Sequence, residues 1–128
     1  MKIVIDTSVF IDYSRASKGL YQNLVDGAVE GKYDLYMPTV VFLEFWSGRG
    51  MNEKVNIRHA DKLFLGINVI DLTEKIAKCA GELVRNEKIG GFDSIIAGTA
   101  LEIGAQVATS NTKHFTKIKN LKLYSAKI

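Results

Sequence analysis

Between Ile95 and Ile103 the chain carries a single charge, Glu102, and places three small residues, Ala97, Gly98 and Ala100, among apolar ones. A helix with so little polar surface has to be covered on most of its sides. Its small residues suit close packing against a sheet, so the rest of the chain must supply one. Gly90-Gly91 turns the chain into this helix, and Phe92-Asp93-Ser94 sets the Asp93 carboxylate at its mouth. Asp93 has two readings. It is a helix N-cap that meets the positive end of the dipole, or it is part of a site, provided other acids point to the same place.

Strands to cover this helix are visible along the chain. Lys2 to Ile5 is an unbroken apolar run that stops at Asp6-Thr7-Ser8, the pattern of a short strand buried on both faces and turning into a helix. Val9, Phe10 and Ile11 begin a short helix, and Leu20, Leu24, Val25, Ala28 and Val29 recur at helical spacing until Gly31. Tyr33 to Met37 is a second strand. Pro38-Thr39 then opens a helix through Val40-Val41-Phe42-Leu43-Glu44-Phe45-Trp46, which Gly48 and Gly50 end.

Met51 to Phe64 is polar and weakly periodic, and reads as helix. Ile67 to Leu72 is a third buried strand. Thr73 caps a helix whose core face is Ile76, Ala77, Ala80, Leu83 and Val84. After the Asp93 helix come a strand from Ala105 to Thr109, a short helix from Thr112 to Ile118 and a last strand from Leu121 to Tyr124. Strands alternating with helices imply right-handed crossovers and an α/β fold, with a mostly parallel sheet covered on both faces. Ligands bind such sheets at the carboxyl ends of the strands.

With 128 residues, 47% hydrophobic and 24% charged, the chain fits one globular domain over 1–128. No linker, repeat or low-complexity run divides it. The apolar opening reaches Asp6 too soon for a signal peptide or a membrane span, so the expectation is a cytoplasmic protein with no membrane partner. Cys79 is the only cysteine, which excludes an internal disulfide and a thiolate-rich zinc site. The net charge of +3 is modest, but no acid follows Glu102, whereas Lys113, His114, Lys117, Lys119, Lys122 and Lys127 all do. A basic last quarter favours polyanions. A solvated lysine face is the other reading.

Two further acids stand where ligands belong. Asp6 ends the first strand, although Asp-Thr-Ser is also good capping chemistry for the next helix. Glu44 interrupts an apolar run, and a carboxylate there must be paired, protonated or bound to a cation. A structural salt bridge or a polar helix face would also account for it. Asp6, Glu44 and Asp93 come from three separate elements, and acids brought together repel until a divalent ion neutralises them. Oxygen ligands without His or Cys fit a hard cation, Mg²⁺ or Mn²⁺, which takes phosphate oxygens as further ligands. Such a site activates water against a phosphodiester.

Ile3-Val4-Ile5-Asp6-Thr7-Ser8, the Glu44 helix after Met37-Pro38-Thr39, Phe92-Asp93-Ser94-Ile95-Ile96-Ala97 and Val107-Ala108-Thr109-Ser110-Asn111-Thr112-Lys113-His114-Phe115 together resemble the PIN domain. The ordered set covers nearly the whole chain, and the nearest likeness is to the VapC-type toxins of prokaryotic toxin-antitoxin pairs. The resemblance implies a PIN-like three-layer α/β/α sandwich and a Mg²⁺-dependent endoribonuclease, with Mn²⁺ as the alternative ion. It also implies a homodimer inhibited by a cognate antitoxin protein. Asp6, Glu44 and Asp93 would form the acidic centre that holds the metal, Asp6 and Asp93 as direct ligands, while Thr7, Ser8, Lys113 and Lys117 would meet the RNA.

Many members of the family carry a fourth acid in the last motif; here Asn111 and His114 occupy that neighbourhood. Asn111 can accept through its carbonyl oxygen or orient a water, but brings no charge. It also suits a turn before the short helix. Two other functions compete with the nuclease: a catalytically silent PIN-like module that binds RNA or a protein, and a phosphotransfer domain with Asp6 as the phosphoacceptor.

Overall fold

Ile3, Val4 and Ile5 of the first strand are all fully buried, yet they belong to different cores. In a computed structural model describing residues 1–126, Ile3 and Ile5 join one apolar cluster and Val4 joins another. Successive side chains of a strand point to opposite faces, so an unbroken apolar run needs cover on both. The cover is helical. In order, the elements are β1 (Lys2–Ile5), α1 (Thr7–Ala16), α2 (Tyr21–Val29), β2 (Asp34–Pro38), α3 (Val40–Trp46), α4 (Lys54–Leu63), β3 (Asn68–Ile70), α5 (Glu74–Glu87), α6 (Gly91–Ile103) and β4 (Gln106–Ala108).

The sheet has four strands in the order β3-β2-β1-β4, every pair parallel. Val9 and Phe10 of α1, Leu24 of α2 and Ala60 and Leu63 of α4 pack with Ile3 and Ile5 on one face. Leu83 of α5 and Ile96, Ala97 and Ala100 of α6 pack with Val4 on the other. The arrangement is the expected α/β/α sandwich. From β1 to β2 to β3 the chain moves one way along the sheet, and from β3 it returns past β1 to β4. A right-handed crossover that reverses direction must use the opposite face, where α5 and α6 lie. Connections therefore diverge between β1 and β4, opening a crevice at the carboxyl ends of those two strands.

Packing of α6 explains its composition. A Cβ on Gly98 would stand 3.2 Å from the Ala80 nitrogen and 3.3 Å from the Ile76 carbonyl oxygen, so the backbones of α5 and α6 touch there. Thr73 caps α5 by accepting from the Ile76 N–H at 3.2 Å. The α5 core stripe is Ile76, Ala80 and Leu83. Ala77 is exposed and Val84 is 48% exposed, contrary to expectation, because each lies one residue, about 100°, round the helix from that stripe.

Other boundaries also differ. The first helix starts at Thr7 and runs to Ala16, longer than expected. The third strand is three residues at the sheet edge rather than a buried run, with Val69 46% and Leu72 50% exposed. Met51 to Phe64 divides into part of a 3₁₀ turn (Arg49–Asn52) and α4. The short helix after β4 is one 3₁₀ turn at Thr112–His114, and the expected last strand is a single bridge between Leu123 and Val107. Among the described residues no helix is long and apolar enough to cross a membrane. Lys127 lies outside them.

Candidate functional site

Asp6 follows β1 into the crevice. Its N–H donates to the Ala108 carbonyl at 2.9 Å, extending the β1–β4 ladder by one residue and holding the side chain between the two strand ends. That side chain is 4% exposed. Its Oδ2 accepts from Ser8 Oγ at 2.7 Å and from Thr109 Oγ1 at 2.8 Å. Asp6 has the extended backbone of a helix N-cap, but its side chain makes no capping hydrogen bond to α1. Capping therefore does not account for this carboxylate.

Glu44 reaches the same region from α3. Its Oε1 accepts from Thr7 Oγ1 at 2.7 Å, and the side chain is half-buried. Burial pushes its pKa above the ordinary carboxylate range; the Thr7 hydroxyl works against that rise, and the charges of Asp6 and Asp93 add to it. No ion pair among the described residues involves Glu44. A structural salt bridge is thus not what holds it there.

Asp93 stands in the first turn of α6, whose N-cap is Gly90, with no side-chain cap. Its Oδ2 lies 2.9 Å from His114 Nδ1. Burial and the charge of Asp6 raise its pKa, while His114 lowers it. Asp6 thus acts electrostatically on both Glu44 and Asp93. The three acids share one neighbourhood, each turned to a polar partner of its own: Ser8 and Thr109 for Asp6, Thr7 for Glu44, His114 for Asp93. Among the described residues no three His, Cys, Asp or Glu side chains are gathered into a ready metal cage.

The β4 exit completes the crevice. Asn111 is exposed and engages it through its backbone N–H, which donates to Thr109 Oγ1 at 2.9 Å; its side chain makes no cap. Lys113 and Lys117 are exposed on the segment that follows. Thr7 and Ser8 are placed on carboxylates. A cleft of about 450 Å³ begins at Glu44 and runs between α1, α3 and α4, past Tyr13, Arg15, Phe45 and His59. Of the three acids only Glu44 lines it.

Sequence reasoning missed Thr109, Ser110 and Asp12. Ser110 Oγ donates to Asp12 Oδ2, and the Ser110 N–H donates to Ser8 Oγ at 3.0 Å. Asp12 lies one helical turn beyond Ser8, and Thr109 ends its strand as Asp6 ends β1. A search for polar side chains at the ends of every strand, and one turn onward, would have found both.

Residues 3–121 match the PIN domain family, which is most of the sequence. The chain belongs to the PIN domain family. Comparison with curated protein sequences returned no match. Among solved structures, VapBC2 from Rickettsia felis bound to a promoter DNA fragment is similar with a TM-score of 0.83 at 23% identity, covering 99% of this chain and 100% of that one. VapBC-1 from nontypeable Haemophilus influenzae gives 0.78 at 24%, covering 98% of each chain. DNA-bound VapBC from Salmonella typhimurium gives 0.78 at 19%, covering 97% of each. At these identities the likeness is one of fold.

Proposed function

We propose that the protein is a metal-dependent endoribonuclease and the toxin of a toxin-antitoxin pair. The observation that carries this is that Asp6, just past β1, Glu44 of α3 and Asp93 of α6 share one neighbourhood at the sheet's switch point, with Glu44 and Asp93 held above their ordinary pKa by burial and, in part, by neighbouring charge. Such crowding is what a divalent cation relieves, and a donor set of carboxylate oxygens fits Mg²⁺ or Mn²⁺. Asp6 and Asp93 would be the direct ligands and Glu44 would complete the acidic centre. When bound, the ion supplies Lewis acidity toward a phosphodiester oxygen and lowers the pKa of water.

The remaining work belongs to the chain. Thr7 holds one oxygen of Glu44, and the Glu44 Oε2 is left to accept a proton from the attacking water. Lys113 and Lys117 engage the RNA backbone, and cleavage leaves a 3′-hydroxyl and a 5′-phosphate. Similar structures of VapBC pairs support a cognate antitoxin as partner, and the family resemblance supports a homodimer.

A second reading, a silent PIN module that binds RNA without cutting it, is favoured by the His114 contact to Asp93 and by the absence of a gathered cage among the described residues. One experiment separates them. Purified protein with Mg²⁺ or Mn²⁺ should cleave RNA, lose that activity in chelator, and lose it in Asp93→Asn with the fold retained. RNA binding without cleavage in either ion establishes the silent module; undiminished cleavage by Asp93→Asn removes Asp93 from the site.

A further inference from the structure

The geometry points to Ser8 and Thr109 as positioning residues that lock Asp6 with one carboxylate oxygen committed to the protein and the other presented to the site. The inference rests on the nuclease reading above and deepens it. Hydrogen counting supports it. Thr109 Oγ1 accepts from the Asn111 N–H at 2.9 Å, so its single hydrogen is free for Asp6 Oδ2, 2.8 Å away. Ser8 Oγ accepts from the Ser110 N–H at 3.0 Å; of the two acceptors its hydrogen can reach, Asp6 Oδ2 at 2.7 Å is much nearer than Thr109 Oγ1 at 3.3 Å, so it goes to the same Oδ2. A carboxylate oxygen has two lone pairs in its plane, and here both are taken.

Oδ1 receives no donor among the described residues and is the one Asp6 oxygen left for a cation. Asp6 and Thr109 are almost fully buried, at 4% and 3% exposure, so water is poorly placed to replace a lost hydroxyl. The lock is tied from outside as well. Asp12 accepts the Ser110 hydroxyl, so α1 grips the β4 exit at Ser8 and again one turn later. Residues expected to meet substrate thus divide the acids between them, Thr7 on Glu44 and Ser8 on Asp6. Outer-shell partners of this kind typically change metal affinity or activity about 10- to 100-fold when removed.

The test measures Mn²⁺ binding calorimetrically, without RNA and well below the unfolding temperature, in wild type, Thr109→Val, Thr109→Ser and Ser8→Ala. Thr109→Val keeps the shape and deletes the hydroxyl; it should weaken Mn²⁺ by about 10-fold, and Thr109→Ser should restore binding. Ser8→Ala should weaken Mn²⁺ similarly and carries the same readout if Thr109→Val does not fold. A residue that serves only the fold would lower the melting temperature and leave the affinity of the folded protein unchanged. Wild-type affinity in folded Thr109→Val or Ser8→Ala overturns the positioning role alone. Absence of Mn²⁺ and Mg²⁺ binding by the wild type overturns it together with the nuclease reading.

Discussion

Two helix glycines should respond to the same substitution with opposite signs. In a helix interior Gly→Ala stabilises by about 0.5–1 kcal/mol when the methyl group has room, because glycine loses more backbone freedom on folding. Gly81 on α5 has nothing within 4 Å of the added Cβ, so Gly81→Ala should gain that amount. Gly98 on α6 would place its Cβ 3.2 Å from the Ala80 nitrogen and 3.3 Å from the Ile76 carbonyl oxygen. Those atoms are helix backbone and yield only if α5 moves. Overpacking of this kind costs about 1–3 kcal/mol; at the middle of that range, about 2 kcal/mol, it outweighs the entropy gain and leaves Gly98→Ala about 1–1.5 kcal/mol less stable. At the usual unfolding entropy per residue, a chain of 128 residues shifts by about 4 °C per kcal/mol. Thermal melts followed by circular dichroism should therefore show Gly81→Ala about 2–4 °C above wild type and Gly98→Ala about 4–6 °C below it. A Gly98→Ala protein at or above the wild-type midpoint would refute the close helix contact. The contact bears on the site, because α6 carries Asp93 and its separation from α5 sets where that carboxylate stands.

Two further expectations concern charge. Glu44 and Asp93 have raised folded-state pKa values, so between the unfolded and folded values the native state binds more protons and their contribution to metal-free stability falls as pH rises. Glu44→Gln and Asp93→Asn should then gain on wild type between mildly acidic and neutral pH in denaturant melts, and Mg²⁺ should narrow the gap; a difference independent of pH would refute the raised pKa values, which burial causes first and neighbouring charge second. Lys113→Glu and Lys117→Glu should each weaken RNA binding and flatten its dependence on salt by about one unit of slope, and unchanged slopes in filter binding would make these lysines a solvated face.

Much of the molecule was legible because its elements announce themselves locally. An unbroken apolar run at Ile3-Val4-Ile5 requires cover on both faces, and a helix from Ile95 to Ile103 with one charge requires a deep position; the α/β/α layering follows from the two together. Asp6, Glu44 and Asp93 stood out for the same reason, as acids where strands end or apolar runs are interrupted. The finer geometry was not legible. Val84 and Ala77 fit a helical pattern as well as Ile76 and Ala80 do, and only the seating of α5 on α6 decided which stripe faces inward. Val69 reads as buried until β3 is seen to be an edge strand. The hydroxyls on Asp6 come from opposite ends of the chain, with Thr109 103 residues away from it, and Asp93 meets a histidine 21 residues on. Periodicity reports on neighbours within a turn or two of the backbone. Which hydroxyl completes which carboxylate depends on β4 lying beside β1, a pairing decided by the hand of the crossover through α5 and α6 and written in no local stretch of the sequence.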